Sequence, residues 1–193
     1  MSNDLFTFDG QRKYLSSQEL DLFIAAANTH ERPEVRTLCL VLAHTGCRLS
    51  EALALTPESI DLSQGAIVFQ TLKQRGIVRF RSVPTPKTTL NDLELAHRLR
   101  QIKKTKAKTK PLWSWGRTQA WKHIKVVFEM AGLSGVQASP KGLRHGFAVR
   151  AIEKTRNPRL VQRWLGHRSL ETTTIYMDII GAEERQAADS MWV

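Results

Sequence analysis

Cysteine is scarce in this 193-residue chain: only Cys39 and Cys47 occur, with no metal-ligand spacing and no disulfide framework. That scarcity fits a reduced cytoplasm better than an oxidising compartment. The N-terminus lacks a charged region followed by an apolar one, and no apolar run approaches bilayer length, so the sequence points to a soluble intracellular protein. It also lacks a Walker loop, a dinucleotide fingerprint and internal repeats, which leaves nucleotide-driven chemistry without support. Acidic residues are outnumbered, 18 Asp and Glu against 29 Lys and Arg, for a formal charge of +11. Such an excess favours a polyanionic partner, nucleic acid first, although charge alone leaves open a merely basic soluble protein.

What is present reads as one mainly helical domain with a small β-rich insert. Ser16 to Glu19 forms a capping box ahead of Leu20, Phe23, Ile24 and Ala27 at helical spacing, and residues before Tyr14 read as a tail. Pro33 opens a second helix, apolar around most of its circumference and therefore central, that ends near Gly46. A short third helix follows, with Arg48 at its start and Pro57 as its limit. Residues 66–72 and 77–83 alternate as strands of a hairpin turned at 73–76, and residues 60–62 are a candidate third strand. A helix is predicted over 90–102, and the lysine-rich stretch 103–110 then reads as a solvated loop.

Trp121, Ile124, Val127 and Phe128 mark the next helix, and Trp113, Trp115 and Trp121 are expected to pack in the core rather than stack on bases. Ser139-Pro140 and Asn157-Pro158 are two further helix starts. Ser169 can cap a last helix bearing Tyr176, whose four consecutive β-branched residues, Thr172 to Ile175, give it poor intrinsic helicity.

Several cations sit where they need an anion. Lys141 and Arg144 occupy the first turns of a helix, where the macrodipole is already positive, and no acid lies between Gly132 and Ile152 to pair with them. A bound phosphate would relieve that conflict. Arg48 and Glu51 are three residues apart on one helical face, which makes either a common surface pair or a preorganised phosphate clamp. His167 follows a glycine cap and is placed to donate to an anion.

Together these motifs resemble the tyrosine recombinases, also called phage integrases. The match consists of Thr45-Gly-Cys-Arg48-Leu-Ser-Glu51, the hairpin lysine Lys73 ahead of Val83-Pro84, Leu143-Arg144-His145, Leu165-Gly166-His167 and Tyr176, in the family's order. It covers Ser16 to the C-terminus, and a set of boxes is far more specific than any one of them. The resemblance implies a mainly α catalytic domain with a small antiparallel β-sheet, acting on double-stranded DNA without metal, nucleotide or other cofactor. By position, Arg48 and Arg144 would clamp the scissile phosphate with help from His167, Lys73 would protonate the departing 5′ oxygen, and Tyr176 would attack phosphorus. Lys141 stands where the family usually has histidine, and His145 matches a family histidine that is more structural than catalytic.

The same resemblance sets expectations for organisation. Residues 1–15 read as a tail, 16–180 as the catalytic domain, and 181–193 as a tail whose segment from Ala182 to Trp192 docks on a neighbouring protomer or folds back on its own core. The stretch before Ser16 is too short for the family's usual N-terminal helical domain, so DNA grip would fall to a homo-oligomer, dimer to tetramer, or to accessory DNA-binding proteins. The function expected is a site-specific DNA strand transferase, encoded by a bacterium, phage or plasmid and working at the nucleoid. The alternatives are a DNA-binding regulator on the same fold and a relaxing enzyme of the type IB kind.

Overall fold

Side chains at the helix starts set much of the chain path. The computed structural model describes residues 5–74, 77–177 and 191, with the side chains of 71–78 outside that description. Helix α1 (Ser17–Thr29) begins on the expected capping box: Ser16 Oγ accepts from the Glu19 amide at 3.1 Å, and Glu19 Oε2 accepts from the Ser16 amide at 2.7 Å. Helix α2 (Pro33–Thr45) starts at its proline and is buried along most of its length. It ends on Gly46 at φ 59°, a left-handed cap, and a methyl group there would collide with the Phe147 ring. Helix α3 (Leu49–Leu53) follows at once.

The sheet has the order β1-β2-β3, all antiparallel, formed by β1 (Ile60–Asp61), β2 (Ala66–Gln74) and β3 (Ile77–Pro84). Phe69 faces Arg81 and Ile67 faces Val83, and the register shifts between Thr71 and Gln74. The hairpin turn at 75–76 lies outside the described residues. The helix expected over 90–102 is instead two: α4 (Lys87–His97) and α5 (Leu99–Ile102), separated by Arg98 in a left-handed conformation at φ 48°. Tertiary contacts impose that break. His97 turns inward onto Thr37 Oγ1 at 3.1 Å, Leu99 is fully buried, and Glu94 Oε2 accepts from the Arg100 amide at 3.1 Å to cap the restart.

The lysine-rich stretch is tethered at two points, because Lys103 Nζ donates to the Ile60 carbonyl and Lys108 pairs with Glu58 at 2.9 Å. Trp113 is buried and donates to the Glu34 carbonyl at 2.7 Å, and Trp115 packs partly buried against the core. Trp121 departs from expectation: it is half exposed on α6 (Arg117–Met130), with Lys125 Nζ 5.8 Å from its ring centroid. The inward phase of α6 is set by Ala120, Ile124, Val127 and Phe128, and Trp121 falls just off it.

Helices α7 (Pro140–Thr155) and α8 (Pro158–Leu165) begin as expected. Ser139 Oγ accepts from the Gly142 amide at 3.1 Å, and Asn157 Oδ1 accepts from the Leu160 amide at 3.0 Å. Helix α9 (Glu171–Thr174) is shorter than expected, and Tyr176 sits in the turn beyond it.

Two apolar clusters form the core. The larger surrounds α2, where Phe23 of α1 and Phe128 of α6 approach to 4.5 Å between ring centroids. The smaller joins α7, α8 and Tyr176, and Leu5 belongs to it. The described part of the stretch read as a tail, residues 5–15, therefore packs: Phe6 bridges to Arg12, and Leu5 is 1% exposed. Cys39 and Cys47 are free and buried, and burial raises both thiols, Cys47 to about 12, so neither is a ready nucleophile. No helix among the described residues is long and apolar enough to cross a membrane.

Candidate active site

The site is assembled where helix ends meet the sheet. Arg48 is the N-cap residue of α3; its amide donates to Glu51 Oε2 at 2.8 Å and its Nη1 to Oε1 at 3.3 Å. The pair is asymmetric: the Arg48 side chain is 44% exposed and that of Glu51 only 1%. What holds the buried carboxylate is Arg81 of β3, whose Nη1 and Nη2 donate to Oε1 at 3.0 Å and Oε2 at 2.7 Å. Burial alone would raise the Glu51 pKa, but the Arg81 fork and charge, aided by Arg48, leave it below its ordinary value.

Arg81 is absent from the sequence-derived set, yet a signal exists. In β3 it shares a strand face with buried Val83, whereas Phe80 and Ser82 point outward. The alternation thus puts a cation on the inward face.

Arg144 is buried on α7 and donates from Nη1 to the Gly46 carbonyl at 2.7 Å and from Nη2 to the Leu165 carbonyl at 2.8 Å. These carbonyls close α2 and α8, ends where the helix dipole is negative. Burial, then the charge of Arg48, lowers the Arg144 pKa to about 10, with Glu51 opposing, so it remains a cation at neutral pH. Three guanidiniums therefore interact with one carboxylate, leaving excess positive charge for an anion. Lys141 does not join them. It is exposed in the first turn of α7, and its side chain has no hydrogen bond or ion pair to another described residue.

His167 follows the left-handed cap Gly166, and its Nδ1 lies 3.0 Å from Thr173 Oγ1. Burial, followed by the charges of Arg144 and Arg48, drives its pKa down to about 3, so the ring is neutral at pH 7. It stacks on Tyr176, with centroids 6.3 Å apart and planes 17° from parallel. Tyr176 is 1% exposed, and its phenol oxygen lies 2.8 Å from His145 Nδ1. His145, expected to be structural, is thus a hydrogen-bond partner of the phenol. Lys73 lies on β2 beside the register shift, and its side chain is outside the described residues.

The arrangement offers a phenol beside an imidazole and a cluster of fixed guanidiniums, a set suited to a phosphodiester. Among the described residues, no three His, Cys, Asp or Glu side chains are grouped to hold a metal ion.

The family model described as Phage integrase family matches residues 13–181. Tyrosine recombinase XerA of Pyrococcus furiosus is 28% identical over 164 residues, covering 80% of this chain and 53% of that protein. Tyrosine recombinase XerD of Pseudomonas aeruginosa is 30% identical over 182 residues, covering 88% of this chain and 58% of its own length. The chain thus spans about half the length of the curated relatives it matches. A crystal structure of XerH site-specific recombinase bound to a palindromic difH substrate, a post-cleavage complex, superposes with a TM-score of 0.76 at 24% identity, covering 93% of this chain and 53% of that one. At that identity the likeness is one of fold.

Proposed function

The chain belongs to the phage integrase family, and from that membership we propose that it cuts and rejoins strands of double-stranded DNA at specific sites through a 3′-phosphotyrosyl link on Tyr176. The observation that carries this reading is the 2.8 Å contact between the Tyr176 phenol and His145 in a chain whose buried Arg144 and half-exposed Arg48 form a cation cluster. The phenol oxygen attacks phosphorus as its proton passes to His145 Nδ1. The bond from phosphorus to the 5′ oxygen breaks, and Lys73 supplies the proton that oxygen takes. Arg48, Arg144 and neutral His167 hold the non-bridging oxygens as charge grows in the transition state. Exposed Lys141 serves as a phosphate contact rather than a base.

Rejoining is the reverse of these steps, with the phosphotyrosyl bond retaining the free energy of the broken phosphodiester. Each chain brings one Tyr176, so exchange between two duplexes needs a nucleophile for every strand cut. We therefore include assembly of several copies on DNA, with accessory DNA-binding proteins helping to hold the duplex. The names of the relatives, all recombinases, favour strand transfer over the regulator and relaxing-enzyme readings.

The test is a nicked suicide duplex built on the sequence the chain itself selects from a randomised pool. The wild-type chain should become covalently attached, seen as a slower band on a denaturing gel, and Tyr176→Phe should not. Failure of the wild type to form an adduct on every selected duplex would overturn the reading.

A further inference from the structure

Resting on that reading, we propose that Arg81 is a positioning residue for strand cleavage: it ties the Arg48 clamp, the His167 loop and the hairpin strands into one unit. Its guanidinium reaches three chain segments. Both Nη atoms donate to the buried Glu51 carboxylate, Nε donates to the Trp164 carbonyl at 2.7 Å, and the group lies 4.8 Å from the Phe69 ring centroid. Each segment leads directly to a proposed catalytic cation or ring. Glu51 holds Arg48, Trp164 precedes His167 by three residues, and Phe69 precedes Lys73 by four on β2.

The fit is close on the His167 side. A methyl group on Gly166 would lie 3.1–3.2 Å from the Arg81 Cδ, Nε and Nη1 atoms, so the glycine both turns the chain and leaves space for the guanidinium. Glu51 Oε1 is shared, at 3.0 Å from Arg81 Nη1 and 3.3 Å from Arg48 Nη1. Without Arg81, that carboxylate would turn to Arg48, the cation still beside it, and draw its charge from the phosphate. Stability alone does not explain this design, because buried ion pairs contribute little compared with a well-packed apolar pair. A planar five-donor fork spanning a carboxylate and a carbonyl is what Lys cannot reproduce.

Arg81→Lys keeps the buried charge and loses the fork, so it separates positioning from charge balance. On the selected suicide duplex at saturating DNA, we expect it to bind with unchanged Kd and melt within a few degrees of wild type. Its single-turnover cleavage should be slower by about 10–100-fold, the cost of a misplacement near 1 Å. A duplex with bridging sulfur at the 5′ position tests the route, since a thiolate leaves without a general acid. Lys73→Ala should be restored on that duplex, whereas Arg81→Lys should stay slow, because its defect lies in the clamp.

Cleavage by Arg81→Lys at the wild-type rate, or full restoration by sulfur, would overturn the proposal. A collapse of its melting midpoint would do so too, by assigning Arg81 to folding alone. An absent wild-type adduct would instead fell the strand-transfer reading, and this inference with it.

Discussion

The arginine cluster and the tyrosine segment are held by opposite means. Arg81 and Arg144 are buried, and each donates to backbone carbonyls at helix ends or to the buried carboxylate of Glu51, on elements packed into the main core. Tyr176 follows α9, a single turn of Glu171–Thr174 rich in β-branched residues and far below the length at which helices are stable alone. Its 1% exposure comes from packing in the smaller apolar cluster and from the bond to His145. Moving the cluster would strand buried charges and carbonyls, whereas moving the tyrosine turn re-exposes an aromatic ring and breaks neutral hydrogen bonds to His145 and His167. The difference teaches a division of labour. On the proposed chemistry, the field that would stabilise the transition state is built by folding, and the proposed nucleophile is carried on a short segment held by fewer contacts with the main core.

Substitutions on the two sides should therefore fail differently. Tyr176→Phe is expected to abolish the covalent adduct entirely while costing about 1 kcal/mol of stability, one hydrogen bond's worth. Arg144→Met should slow trapping by about 100–1000-fold, as for loss of a transition-state donor. It should also lower stability by about 2–4 kcal/mol, because the Gly46 and Leu165 carbonyls lose their partner. Single-turnover gels with urea melts check both. An Arg144→Met chain as stable as wild type would break the comparison.

Legibility in the sequence follows the same divide between local and long-range causes. Helix starts at Ser16, Ser139 and Asn157 were readable because each is fixed within three residues by one side chain and one amide. The break at Arg98 was not, since the burial of His97 and Leu99 decides it. In the site, Arg48 and Glu51 could be paired from helical spacing. The role of Arg81 is not legible in the sequence because its partner is 30 residues away, although the strand phase places it on the inward face. The structural role expected of His145 comes from the resemblance alone, and its contact with Tyr176, which joins residues 31 apart, is not legible in the sequence. Lys141 and Arg144 share a helix start, yet the fold exposes one and buries the other.

The roles proposed for His145 and Lys141 supply a sharper test of how the proposed nucleophile would be prepared. If the phenol proton passes to His145, His145→Gln should slow adduct formation at pH 7 by about 100-fold, the lower end for a general base. Lys141→Ala should slow it by less than about 10-fold and act mainly on affinity, with a shallower dependence on salt. The opposite ranking would show that Lys141 enters the site once DNA is bound and that the tyrosine side is rebuilt at that moment.

The smallest expected effect lies where the two regions touch. His167 stacks on Tyr176 while burial, then the charges of Arg144 and Arg48, hold its pKa at about 3 against an ordinary 6.5. Between those values the unfolded chain binds more protons than the folded one, so the contribution of neutral His167 is complete above pH 6.5 and is lost as pH falls toward 3. With the half-buried ring discounted for screening, the loss by pH 5 is about 1 kcal/mol. His167→Gln should flatten the fall in urea-melt stability between pH 7 and pH 5 by that amount. A slope from His44 and His97 should remain, because burial lowers their pKa values as well. Bound DNA adds negative charge beside the cations and should raise the His167 pKa. The acid sensitivity of the wild-type complex would then be smaller than that of the free chain, and an unchanged sensitivity would place the phosphate away from this ring.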